Sequence, residues 1–252
     1  MELHLGQDLQ WKPLLPLMIN LRNRSYQKEL LDKDNIPFED IKQTMRELNT
    51  INKYLGGHKI TIAGLKKLVA GYDLNKPINI CEIGCGGGDN LRAISNYCSR
   101  KKIAVKFIGV DIKSECIAFA RQQYPELQAT WICNDYQQTD FGNDKPDIIF
   151  SSLFCHHFNE DELTAMLQWM KKNATLGFFI NDLQRHTLAY YSIKWLTNLF
   201  SQSYLVKNDA PLSVARGFIK QEWEEIFRSA NINNFSFSWK WAFRYLIICR
   251  HD

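Results

Sequence analysis

A glycine-rich run placed between a predicted strand and a predicted helix constrains the fold more than any other feature. Residues 78–83 form a short apolar run, and Gly84 to Asp89 then read Gly-Cys-Gly-Gly-Gly-Asp. Residues 89–97 have the pattern of a helix. Glycine has no Cβ, so such a loop turns sharply and lets the backbone approach a ligand closely. A strand, a glycine loop and a helix in this order are typical of nucleotide-binding α/β folds.

The chain after residue 77 alternates between strand and helix patterns. This alternation predicts an α/β fold with a doubly wound, mostly parallel, seven-stranded Rossmann-like sheet that closes on a C-terminal β-hairpin. The predicted strands are 78–83, 104–110, 129–133, 147–153, 177–180, 234–241 and 243–249, and further helices are predicted at 114–123, 159–172 and 221–229.

Two segments lie outside this alternation. Residues 1–75 are predicted to be helical, and residues 38–55 carry one apolar face that ends at a glycine pair. We expect this segment to be a cap on a main domain of residues 76–252. Residues 183–220 form a long, aromatic-rich connection, which we expect to pack as helices and to act as a lid over an apolar ligand.

Composition excludes several classes of protein. The 252 residues carry a net charge of only +4, spread along the chain, so no basic nucleic-acid surface is indicated. The seven cysteines form no CxxC pair and the carboxylates are scattered, so neither a disulfide framework nor a metal site is predicted. No signal peptide or membrane span is apparent, which favours a cytoplasmic location. A homodimer remains open.

The acidic residues around the loop distinguish between two nucleotide cofactors. In the NAD fingerprint GxGxxG, counted from Gly84, the third glycine position holds Asp89, which would repel a pyrophosphate. S-adenosylmethionine (SAM) has no phosphate and carries a positive sulfonium and an amino group. Glu82 before the first glycine and Asp89 after the last therefore favour SAM.

Two further polar positions follow predicted strands. Asp111 closes the second strand, 25 residues beyond Gly86, where a carboxylate can accept both ribose hydroxyls. Asn134, Asp135 and Tyr136 follow the third strand and can bind the adenine amino group and enclose the ring. An ordinary turn is the alternative at both places.

These motifs resemble those of the class I SAM-dependent methyltransferases. The resemblance covers about residues 77–182 and the final hairpin. It rests on four features: E-x-G-x-G-x-G, the acidic end of strand two, the Asp after strand three, and Ser152-Leu153-Phe154-Cys155-His156-His157-Phe158. The chain is most similar to the ubiquinone/menaquinone-type group. The resemblance implies SAM as cofactor, held by Glu82, Gly84, Cys85, Gly86, Gly88, Asp111, Ile112, Asn134, Asp135, Tyr136 and Leu153.

The stretch after strand four bears on the substrate. Nucleic-acid amino-methyltransferases carry an Asn/Asp-Pro-Pro-aromatic motif there, and RNA cytosine-C5 enzymes carry a Pro-Cys nucleophile. This chain lacks both prolines and has Phe154 before Cys155. We therefore expect a small aromatic or apolar acceptor, such as a phenol, quinol or polyketide-like compound, with O-methylation favoured over C-methylation and no nucleic-acid partner.

Three residues are candidates for catalysis. His157 follows strand four and His186 follows strand five, and a near-neutral imidazole can remove a phenol proton. Asp182 can orient His186. The alternative for His157 is a structural histidine bonded to a backbone carbonyl. Arg216 is expected to meet a carboxylate at the surface, with an acidic group of the substrate as the alternative.

Two other functions remain open at this point. A NAD-dependent oxidoreductase would use the same glycine loop, although Asp89 disfavours it. A catalytically silent protein with a SAM-binding fold would act as a partner subunit, and we would then expect its loop to have lost glycines.

Overall fold

Seven strands alternate with eight α-helices in the computed structural model, which describes residues 20–72 and 76–251. The strands are β1 (Ile78–Ile83), β2 (Val105–Asp111), β3 (Ala129–Cys133), β4 (Ile148–Ser152), β5 (Gly177–Leu183), β6 (Ser236–Lys240) and β7 (Arg244–Arg250). The helices are α1 (Phe38–Tyr54), α2 (Gly57–Leu68), α3 (Asp89–Lys101), α4 (Ser114–Gln123), α5 (Glu160–Asn173), α6 (Thr187–Phe200), α7 (Tyr204–Arg216) and α8 (Lys220–Ser229).

The strands form one sheet in the order β3-β2-β1-β4-β5-β7-β6. β1 to β5 are parallel, whereas β7 pairs antiparallel with both β5 and β6. The predicted fold class, with its seven strands and its C-terminal hairpin, is confirmed. The strand order reverses at β1, which has β2 on one side and β4 on the other, and ligands of doubly wound sheets bind outside such a switch point.

Alternation along the strands explains why helices cover both faces of the sheet. In β4, Ile149 packs in the cluster that includes the buried residues of α5 and α8. Its neighbours Ile148 and Phe150 pack in a second cluster with residues of α2 and α3. Side chains of consecutive strand residues point to opposite faces, so an apolar strand supplies both cores.

The N-terminal helices have different positions. The predicted helix over 38–55 is α1, and Gly56, with a φ of +82°, separates it from α2. α2 packs on β5, β7 and α3 and so belongs to the helical layer of the sheet, while α1 contacts α4 and α7. The prediction of helix is wrong for residues 20–37, which contain none, and residues 1–19 and 73–75 of the predicted cap lie outside the described residues.

The connection between β5 and α8 is helical, as the sequence predicts. It consists of α6 and α7, which pack against each other. α6 keeps Leu188, Trp195, Leu199 and Phe200 more than half exposed. No helix among the described residues is long and apolar enough to cross a membrane.

Candidate active site

The glycine loop between β1 and α3 has the backbone conformation that its sequence predicts. Gly84, Gly86 and Gly88 have φ values of +64°, +48° and +77°, in the left-handed region that favours glycine. A Cβ at Gly84 would also overlap the ring of Phe154. The Gly86 N–H donates to Oδ2 of Asp111 over 2.8 Å, so the end of β2 fixes the loop.

Buried acidic groups surround this loop. Glu82 is 1% exposed and accepts a hydrogen bond from Asn90 at Oε1, while its Oε2 has no partner among the described residues. Burial raises the pKa of Glu82 well above its ordinary value, and the nearby Asp89 carboxylate raises it further. Burial also raises the pKa of Asp111. A cationic ligand would relieve this concentration of negative charge.

A single cavity of about 890 Å³ opens at the carboxyl edge of the sheet. It is lined by ten of the eleven residues that the sequence assigns to the cofactor, the exception being Gly88, which caps α3. Ile112 is 72% exposed and lies on its wall, while Tyr136 is buried and makes edge contacts with Phe154 and Phe158. Asn134, Asp135 and Leu153 also line the cavity.

His156 also lines this cavity and lies between two carboxylates. Its Nδ1 is 2.8 Å from Oδ1 of Asp182, and its Nε2 is 3.4 Å from Oε1 of Glu29. All three side chains are buried. Although burial lowers the pKa of His156, the charges of Asp182 and Glu29 raise it to about 9. Both ring nitrogens are engaged, so His156 is an imidazolium that holds the site together rather than a free base.

His157 has the arrangement of an oriented base. Its Nδ1 is 3.1 Å from Oδ1 of Asp32, and its Nε2 faces Glu29 at 3.7 Å. The His157 side chain is 21% exposed and lines the cavity. If the Nδ1 proton is donated to Asp32, Nε2 is the ring nitrogen that carries the lone pair.

The structure separates the other two predicted catalytic residues. Asp182 is fully buried and pairs with His156, not with His186, the partner that the sequence suggested. His186 is the N-cap of α6, where its Nδ1 accepts the Leu188 N–H over 3.1 Å, and its ring stacks on Phe243. Neither Asp182 nor His186 is among the residues that line the cavity.

Two buried arginines hold the short 3-10 helix Cys155–His157 in place. Arg216 donates to the carbonyls of His156 and His157, and Arg24 also donates to the His156 carbonyl. The prediction that Arg216 lies at the surface is wrong, because it is 5% exposed. The unpaired carbonyls of a tight turn require donors, and the guanidinium groups supply them.

Glu29 and Asp32 were not identified from the sequence. Both belong to the segment before α1, which Asp209 anchors by accepting the N–H groups of Leu30 and Leu31. The ligand atoms of Glu29, His156 and His157 lie within 4.8 Å of one another, a grouping that the sequence analysis did not foresee. The imidazoles and carboxylates of this cluster already contact one another at 2.8 to 3.7 Å.

Comparison with known proteins agrees with this geometry. Residues 80–175 match a protein-family model described as a methyltransferase domain. That range runs from β1 to the end of α5 and contains every residue assigned to the cofactor. No curated protein matches the sequence at a significant level.

Solved structures share the fold at low sequence identity. The magnesium protoporphyrin IX methyltransferase of Synechocystis with bound SAH (S-adenosylhomocysteine) is 17% identical over 78% of this chain and 84% of that one, with a TM-score of 0.53. The plantazolicin methyltransferase BpumL with SAH is 16% identical over 80% and 78%, with a TM-score of 0.58. A SAM-dependent methyltransferase from Aquifex aeolicus is 14% identical over 86% and 99%, with a TM-score of 0.58.

The match to a methyltransferase domain disfavours the alternative of a NAD-dependent oxidoreductase, and the complete glycine loop gives no support to a silent partner protein. Residues 80–175 therefore carry a methyltransferase domain, and the chain shares its fold with methyltransferases that bind SAM or SAH, which supports SAM as its cofactor.

Proposed function

We propose that the protein transfers the methyl group of SAM to a hydroxyl of a small aromatic or apolar acceptor, such as a phenol, quinol or polyketide-like compound. One observation carries this proposal: a single cavity extends from the glycine loop to the imidazole of His157. A volume of about 890 Å³ lies at the upper end of the range of ligand sites and leaves room for an acceptor beside the cofactor.

The acidic pocket fits a cationic cofactor. The buried Oε2 of Glu82 has no partner among the described residues and can accept the amino group of SAM. Asp111 accepts two backbone N–H groups, and its oxygens keep lone pairs for ribose hydroxyls. Bound SAM supplies an electrophilic methyl group on its sulfonium. The residues of the pocket bind and orient it and exclude water.

The walls of the remaining cavity favour an apolar acceptor. Met45, Leu48 and Ile51 project from α1, and Ile193 and Leu196 project from α6. Such walls can bury the apolar surface of an acceptor and select it by its shape rather than by its charge. α6 belongs to the segment that we propose as a lid, so its movement would admit the acceptor.

His157 is the residue we assign to proton removal. Asp32 holds its Nδ1, so Nε2 can accept the proton of an acceptor hydroxyl as the oxygen becomes nucleophilic. The Glu29 carboxylate faces Nε2 of this imidazole at 3.7 Å, and its other oxygen is 3.4 Å from Nε2 of His156. Asp182 positions His156, and His186 has a capping role in this account.

Two structural neighbours support a small acceptor. Their names give a magnesium porphyrin and plantazolicin as the compounds they methylate. At this low sequence identity, the two neighbours show only that the fold is shared. The class of acceptor is therefore inferred from the apolar walls of the cavity.

An acceptor screen tests the proposal. Purified protein is incubated with methyl-labelled SAM and a panel of phenols and quinols, with nucleic acids and short peptides as comparison substrates. We expect label transfer to a phenolic or quinol oxygen and none to the other classes. Transfer only to a nucleic acid or a peptide would contradict the proposal.

A further inference from the structure

Four arginines are buried in the described part of the chain, and one of them differs from the other three. Arg185 forms a bidentate pair with Glu222, at 2.6 and 3.1 Å. Arg24 and Arg216 each donate to three backbone carbonyls and lie within 4.0 Å of a carboxylate. Arg244, 2% exposed, has no carboxylate within that distance among the described residues.

The contacts of Arg244 leave much of its hydrogen-bonding capacity unused. Nη1 and Nη2 both donate to one neutral atom, Oδ1 of Asn52, over long distances of 3.3 Å. Nε is buried and has no partner among the described residues. A guanidinium has five N–H donors, so several of them remain free for a ligand.

Burial makes this arrangement costly unless a ligand offsets it. Burial lowers the pKa of Arg244 to about 10, and the more distant carboxylates of Asp182 and Asp89 only partly oppose this effect. At neutral pH the side chain is therefore still a cation. A buried cation without a counter-charge is strongly unfavourable, and anions are the ligands that compensate for it.

Arg244 also lies where a ligand can reach it. It begins β7, opposite Leu183 of β5, and both residues line the cavity together with Asn52. Asn52 donates its Nδ2 to Asp89 and presents Oδ1 to the guanidinium, so it orients Arg244. Glycine at position 57 leaves room for the guanidinium of Arg244, because a Cβ there would overlap its Nη1 and lie 2.6 Å from Oδ1 of Asn52.

We propose that Arg244, oriented by Asn52, is the subsite for a ligand carboxylate inside the cavity. The inference rests on the proposed function, in which this cavity holds SAM and its acceptor. Two ligands can supply the carboxylate: SAM through its amino-acid group, or an acceptor that is an aromatic acid. A bidentate pair with the guanidinium suits either source.

Calorimetry with two cofactor analogues tests the first source. SAH retains the amino-acid carboxylate, whereas methylthioadenosine lacks the whole amino-acid part. If Arg244 binds the cofactor, Arg244→Met weakens SAH binding ten- to a hundredfold and leaves methylthioadenosine binding unchanged. The second source is tested by titrating benzoate into SAH-saturated protein, where binding that is lost in Arg244→Met assigns the carboxylate to the acceptor.

Other results overturn the inference. Equal SAH affinities in wild type and variant, together with no benzoate binding that depends on Arg244, would show that the guanidinium has no ligand. Loss of SAH and methylthioadenosine affinity by the same factor would point to general damage to the pocket and would also overturn it. Wild-type protein that binds no SAH would contradict the proposed function as well.

Two further variants guard against misfolding. Gly57→Ala keeps the charge of Arg244 but displaces its guanidinium, so it should reproduce the selective loss of affinity. Arg185→Met is the matched control, because it removes a buried arginine whose carboxylate partner lies within the protein. We expect Arg244→Met to keep or raise the Tm of the ligand-free protein and Arg185→Met to lower it.

Discussion

The two ends of the cavity are built in different ways. At the cofactor end, the glycine loop, Asp111 and Asn134 to Tyr136 follow three parallel strands, and all lie within the 80–175 range of the methyltransferase domain. At the acceptor end, Glu29 and Asp32 come from the segment before α1. Only the short helix with His157 belongs to the matched domain there.

This difference separates what the fold determines from what added segments determine. Strand ends of a parallel sheet meet at one edge, so a cofactor site can be assembled from the fold itself. The acceptor site needs outside segments to supply carboxylates and to close the cavity. We therefore expect substitutions at the two ends to affect different measurements.

The largest effect is expected at His157. His157→Ala should lower kcat by about a hundred- to ten-thousandfold, because the acceptor hydroxyl loses its base. Steady-state kinetics on an acceptor found by the screen would measure this. His186→Ala is the matched control: it removes an N-cap away from the cavity, so it should cost on the order of 1 kcal/mol of stability and leave kcat unchanged. A large fall in kcat in His186→Ala alone would reverse the assignment.

The ion pairs around His156 should make stability depend on pH. Its pKa of about 9 lies above the ordinary value near 6.5, so its contribution is complete below pH 6.5 and is lost as the pH rises through 9. The loss should be on the order of 3 kcal/mol. Urea unfolding of wild type and His156→Asn between pH 6.5 and 9.5 should show curves that converge. Parallel curves would show that His156 is not held as an imidazolium.

Asp111→Ala should weaken binding of the cofactor. The variant loses ribose hydrogen bonds to a charged group, worth about 1.5–3 kcal/mol, which corresponds to about ten- to a hundredfold weaker SAM binding. Calorimetry would measure it, with the exposed Asp140→Ala as control. Unchanged affinity in a folded Asp111→Ala protein would remove this residue from the cofactor site.

The sequence could indicate which residues meet at the glycine loop because its signals there are local. The left-handed glycines, the acidic residue before them and the carboxylate at the end of β2 each follow a strand by a fixed, short distance. The sheet then brings these residues together without help from segments outside it. The same reasoning predicted the seven strands and the hairpin.

The acceptor end could not be predicted because its contacts join residues far apart in the chain. Glu29 reaches His156 across more than a hundred residues, and no local pattern indicates such a pairing. The burial of Arg216 has the same origin, since its partners are carbonyls of a distant turn. The Asp182 carboxylate was placed at the right strand end but with the wrong imidazole partner, because side-chain direction within β5 decides the pairing.

The smallest effect is expected with nucleic acids. A net charge of +4 without a basic cluster should give only weak binding to tRNA or duplex DNA that disappears at moderate salt. Filter binding at 50 and 200 mM salt would measure this. Tight, sequence-selective binding that persists at 200 mM salt would place the acceptor in another class.

SAH calorimetry of the double variant Glu29→Gln, His157→Ala tests the separation of the two ends most directly. We expect the double variant to bind SAH within about twofold of the wild-type affinity, because neither side chain belongs to the pocket of Glu82 and Asp111. Asp111→Ala, measured in parallel, should lose about ten- to a hundredfold in SAH affinity. A comparable loss of SAH affinity in the folded double variant would contradict it, since the histidine end would then bind the cofactor rather than the acceptor.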